Sequence, residues 1–92
     1  MSPASPLKWS EAEWREQRVE WVKTEASRRI EAVYPLWKQV NILRDGTADE
    51  IQAMRVAINA VRNKSDVLEA LVATMTIDEL KALRVNDEAY WD

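Results

Sequence analysis

Apolar residues recur along the chain at steps of three and four, the spacing that lines up one face of an α-helix. Val19, Val22, Ala26, Ile30, Val33, Trp37 and Val40 form one such stripe. Trp14 and Trp21, a heptad apart, lie beside it and widen the apolar face near its start. The opposite side carries Glu16, Glu20, Lys23, Arg28 and Glu31 and reads as a solvated face. Farther on, Ile51, Met54, Ile58, Val61, Ser65, Leu68, Val72 and Met75 alternate steps of three and four. That is a heptad seam with one polar position, narrower than the usual buried face of a globular helix. A shorter pattern, Ile77, Leu80, Leu83 and Val85, follows.

Capping signals mark where these patterns begin. Ser10 with Glu13, Thr47 with Glu50 and Thr76 with Glu79 each have the spacing of a capping box, in which hydroxyl and carboxylate satisfy each other's backbone N–H. Gly46, the only glycine, follows the first long pattern and is expected in the left-handed conformation that closes many helices. So short a connection, Arg44-Asp-Gly-Thr47, makes the flanking helices antiparallel neighbours. Pro35 interrupts the first stripe without shifting its register. This predicts a kink; the alternative is a tight break with Pro35 in the first turn of a new helix, where proline is best tolerated. The predicted fold is all-α: a long helical hairpin, its first helix kinked at Pro35, with a short third helix. Residues 1–9, with Pro3 and Pro6, read as an N-terminal arm, and residues 10–92 as one domain.

Composition narrows what such a fold does. The chain has 92 residues, a formal net charge of −3, no cysteine and no histidine. A thiol nucleophile, a disulfide framework, a thiolate metal site and the commonest general base are therefore absent. The carboxylates fall in caps or at surface spacing, so no catalytic, cofactor or metal site is expected. Asp45-Gly46 with Asp49 and Glu50 lacks the ligand spacing of a calcium loop. The acidic balance gives no footprint for nucleic acid, and no apolar run approaches the ~20 residues that span a bilayer.

Five tryptophans and no phenylalanine are the unusual feature. Tryptophan suits half-buried helix faces, which accounts for most of them, and it is also enriched where binding energy concentrates. Trp14, Trp21 and Trp37, with the terminal pair Tyr90 and Trp91, are accordingly candidate partner contacts. Lys38, Gln39, Asn41 and Arg44 follow Trp37 and form a polar patch; favourable charge near a helix C-terminus is their simpler explanation.

The stretch Tyr34-Pro-Leu-Trp-Lys-Gln-Val-Asn41 resembles a Tyr-Pro-x-Trp-Lys-Gln-x-Asn pattern in small proteins of tailed phages and prophages, often encoded near tail-fibre or tail-assembly genes. The similarity extends through Ile58-Asn-Ala-Val-Arg-Asn-Lys-Ser-Asp-Val-Leu-Glu69 to the end near Asp87-Glu-Ala-Tyr-Trp91; residues 1–24 and 76–85 fall outside it. The resemblance implies a virion-tail or assembly context, in the virion or in the host cytoplasm during assembly, and supplies no catalytic residues. The expected function is a non-catalytic tail or tail-fibre assembly component acting by helix packing, with itself (as a homo-oligomer) or a phage tail protein as partner. The alternative is a helical regulatory or inhibitory module that binds a host protein.

If the heptad seam faces a core, Ile58→Asp should unfold or dissociate the protein by burying an unpaired charge, while Asn59→Asp should be tolerated. Circular dichroism and sedimentation velocity check this. Equal tolerance of both would place the seam in solvent.

Overall fold

A computed structural model describes residues 9–92. The protein is all-α, and no strand occurs among the described residues: α1 spans Glu11–Val33, α2 Leu36–Asp45, α3 Ala48–Val72 and α4 Ile77–Ala82, and a 3₁₀ turn covers Glu88–Tyr90. Ser10, Thr47 and Thr76 are the N-caps of α1, α3 and α4, and all three capping boxes are closed in both directions. α3 folds back along α1, α4 packs against the N-terminal half of α1, and the C-terminal segment reaches its C-terminal half at Arg29. Of the arm expected over residues 1–9, only Trp9 is described, and it packs edge-on against Trp14 with ring centroids 5.2 Å apart.

The core sits where α1, α3 and α4 meet. Trp14 and Val22 of α1 pack with Leu68 and Val72 of α3, Leu80 of α4, and Leu83 and Val85 beyond it. Met54, Ser65, Leu68 and Val72 of the α3 seam are buried, and Ile51, Ile58, Val61 and Met75 are partly buried. The seam therefore faces inward along its length.

Three arginines of α1 attach the later elements. Arg15 donates to the carbonyl of Val72 (3.3 Å), the last residue of α3, and to that of Met75 (2.8 Å) just beyond it. Arg18 donates from Nε to the Leu80 carbonyl at 2.7 Å, near the end of α4. The last carbonyls of a helix lack intrahelical partners, so a guanidinium there both hydrogen-bonds and meets the negative end of the dipole. Arg29 grips the C-terminal segment: it is 2.6 Å from Glu25 and 2.8 Å from Glu88, and its guanidinium lies 5.2 Å from the Trp91 ring. Hydrogen bonding to Arg28 above all, and also to Arg29, pulls the pKa of Glu25 below its ordinary value despite burial. The Arg29 hydrogen bond does the same for Glu88.

Two expectations about the backbone are corrected. Pro35 does not kink one helix; it separates two. Tyr34 ends α1 at φ −128° and ψ 75°, and Pro35 is the N-cap of α2. Gly46 is not left-handed: its φ is −76° and its ψ 159°. Glycine is needed there because a Cβ would overlap the carbonyl oxygen of Ile42, which accepts the Gly46 N–H at 2.8 Å.

That distinction is testable, because asparagine tolerates the left-handed region but still carries a Cβ. Gly46→Ala and Gly46→Asn should each destabilise the protein by more than about 1 kcal/mol in urea unfolding. A near-neutral Gly46→Asn would point to conformation rather than the approach to Ile42.

Candidate protein-interaction surface

The break at Pro35 decides which way α2 faces. Continuing a helix through an interior proline costs about 3 kcal/mol. Breaking it leaves backbone groups that need other partners, and nearby side chains provide them. Glu31 accepts the Leu36 N–H at 3.1 Å, standing in for the side-chain cap that Pro35 cannot supply. The Gln39 amide donates to the Tyr34 carbonyl at 2.7 Å. Lys38 reaches the Val33 carbonyl at 3.4 Å, and its ammonium lies 5.2 Å from the Tyr34 ring. The neutral Gln39 bond is worth about 0.5–1.5 kcal/mol net and the bonds to the charged Glu31 and Lys38 about as much or more, so together they make the break competitive with a kink.

The chain leaves this joint rotated. Pro35, Lys38, Gln39, Ile42 and Gly46 are the partly covered positions of the segment, and α2 packs on α3. Leu36, Trp37, Val40 and Leu43 point outward, and Val33 at the end of α1 continues their patch. These five residues are between 49% and 67% exposed. The stripe that ran through Val33, Trp37 and Val40 in the sequence is therefore exposed from Val33 onward.

The candidate residues separate accordingly. Trp37, at 67% exposure, is the aromatic anchor of the outward face. Lys38 and Gln39 are occupied in the joint. Asn41 lies exposed on the edge of α2, where its Oδ1 accepts from the Arg44 guanidinium at 3.1 Å. Trp14 is corrected from association surface to core: it is buried against Trp9, and the Arg18 guanidinium lies 5.0 Å from its ring. Trp21 is half exposed, with Arg18 over its ring at 4.2 Å, and borders a shallow groove of about 360 Å³ with Leu83 and Val85. Tyr90 and Trp91 pack back on the core, with Trp91 Nε1 donating to the Val85 carbonyl at 2.8 Å.

No protein-family model, no curated protein and no solved structure matches the chain. Among the described residues no cluster of carboxylates is arranged to hold a metal ion, and no helix is long and apolar enough to cross a membrane. Burial lowers the pKa of Arg18, yet a guanidinium remains charged, so it attracts carbonyls and aromatic faces rather than exchanging protons.

Sequence reasoning missed Leu36 and Leu43 as members of the outward face. Helical spacing counted separately from Pro35 onward would have found them, since 36, 40 and 43 share a face.

If Gln39 serves the joint rather than a partner, Gln39→Leu should speed hydrogen exchange across α2 and leave exchange in the Val22–Leu68–Leu80 core unchanged. Unchanged α2 exchange would release Gln39 from that role.

Proposed function

We propose that the protein is a non-catalytic assembly component that works by helix-mediated packing, with the outward face of α2 as its docking surface. One observation carries this reading: four large apolar side chains of a short helix, one of them tryptophan, stand in solvent, and Val33 at the end of α1 is exposed as well. A soluble chain keeps such a patch at a cost in solubility, and contiguous apolar patches of this kind mark interaction sites. Tryptophan is the residue most enriched among those whose truncation costs binding most. The resemblance of residues 34–41 to proteins encoded near phage tail genes supports a tail or tail-fibre assembly setting. Within that motif, Pro35, Lys38 and Gln39 build the joint that turns Trp37 outward, so the motif as a whole serves to present one aromatic side chain.

The test is co-expression with the proteins encoded on either side, read by native mass spectrometry. A complex with a tail or tail-fibre assembly protein is expected, and Val40→Asp should abolish it while leaving helicity intact, since Val40 is half exposed. No complex with any such protein, or one indifferent to Val40→Asp, would overturn the reading.

A further inference from the structure

The outward face of α2 has a symmetry of its own. On an ideal helix, with about 100° and 1.5 Å per residue, Leu36 and Leu43 lie about 40° and 60° to one side of Val40. Trp37 and Arg44 lie about 60° and 40° to the other side. Along the axis, the two members of each pair stand on opposite sides of Val40, three and four residues away. A two-fold axis perpendicular to the helix at Val40 would therefore bring each residue beside its counterpart's neighbour. Leu36 would meet Leu43 of a second copy along one edge. Trp37 would meet Arg44 of that copy along the other edge, and Val40 would face Val40 at the centre.

We infer that this face binds a second copy of the same chain, as an antiparallel α2–α2 pair about a two-fold axis through Val40. The inference rests on the reading of α2 as a docking surface and names its occupant. Three observations commit it to self-association. First, the edges are complementary under that operation: apolar meets apolar, and an aromatic ring meets a cation. An isologous interface requires this, because the same patch supplies both sides. Second, Arg44 is held in place. Its Nη2 donates to Asn41 at 3.1 Å and its Nε to Asp45 at 2.9 Å, which pins the guanidinium along the helix surface. A restrained guanidinium loses less freedom when an indole stacks on its face, and arginine over tryptophan is a favourable pairing. Asn41 is thus a positioning residue for Arg44.

Third, the area suits a small symmetric dimer. The five exposed side chains offer roughly 500 Å² of apolar surface per copy, against about 800 Å² per partner, polar rim included, in a standard stable interface. Arg44, Asn41 and the neighbouring helix ends supply that rim. Arg44 is the cation placed to meet Trp37, with Asp45 bonded to the edge of its guanidinium. Packed helices lie about 8–10 Å apart axis to axis, which brings the two Val40 Cβ atoms within the reach of a disulfide.

The chain has no cysteine, so single cysteines report on this geometry directly. Under mild oxidation, Val40→Cys should form a covalent dimer rapidly. Val67→Cys, exposed on α3, should cross-link no faster than random collision allows. In sedimentation equilibrium at micromolar concentration the wild type should dimerise and Val40→Asp should remain monomeric with helicity kept. Arg44→Ala should weaken association about tenfold, because two Trp37–Arg44 contacts are lost per dimer. A wild type that stays monomeric, or a dimer indifferent to Val40→Asp and slow to cross-link through Val40→Cys, would overturn the inference. A monomer that still binds a tail protein through Val40 would remove the self-pairing alone. A dimer that binds no tail protein would remove the assembly reading alone.

Discussion

Proline has no backbone N–H, and the outer half of this molecule depends on that single absence. At Pro35 an α-helix would lose its hydrogen bond to the Glu31 carbonyl and clash with it, so the helix ends at Val33 and restarts at Leu36. The restart changes which side of the chain meets α3. Were the helix continuous, Trp37 and Val40 would keep the register of Val22, Ala26 and Ile30, a stripe that already reaches solvent at Val33. With the break, Lys38, Gln39 and Ile42 take the covered side, and the apolar residues turn to solvent.

The inner half is held by a different device. The helix ends of α3 and α4, and the segment after them, converge on α1, which meets them with Arg15, Arg18 and Arg29. A hydrogen bond to a charged group contributes about 1.5–3 kcal/mol, more than the 0.3–1 kcal/mol of a charge merely near a helix terminus. Direction matters too, because a guanidinium reaching a specific carbonyl fixes where α4 ends as well as that it packs. The arrangement joins polar attachment to the apolar contacts of Val22, Leu68, Val72 and Leu80, all nearly or fully buried. It also explains why tryptophans at 14, 21 and 91 cluster around arginines: each ring covers the face of a guanidinium whose edge is engaged with backbone or carboxylate.

How much of this was legible in the sequence follows from what kind of signal each feature leaves. The three capping boxes and the α3 seam were readable, because caps and heptads are local and both partners are side chains at fixed spacing. The attachments by Arg15 and Arg18 were not, because their partners are main-chain carbonyls 57 to 63 residues away that carry no residue signature, and the Arg29–Glu88 pair spans 59 residues with no local spacing to mark it. Gly46 was placed in the right turn for the wrong reason: composition shows that a Cβ is unwelcome, but not whether conformation or a close neighbour excludes it. The outward face of α2 was hidden by the regularity of the stripe itself. Steps of three and four persist through Pro35 whether the helix bends or stops, so the spacing could not tell a buried stripe from one turned out. Trp14 and Trp37 illustrate the consequence, since both sit on or beside one pattern and end on opposite sides of the surface.

The joint also sets how firmly the docking face is held. α2 has 10 residues, shorter than the ~12–15 at which an isolated helix becomes even marginally stable in water. Its order therefore rests on Ile42 against α3, on the Gln39 and Glu31 bonds at its start, and on the Gly46 turn at its end. Most of its apolar side chains contribute nothing to that order while they face solvent. Covering them adds burial worth about 1.5–3 kcal/mol for each fully enclosed Val or Leu, on an element the rest of the fold supports weakly. Occupation of the face and order in the helix are consequently linked: whatever covers Trp37 and Val40 stabilises the α2 conformation that presents them, and any loosening of the Pro35 joint withdraws the surface. The motif residues engaged in the joint and those exposed on the face thus act on one equilibrium from its two sides.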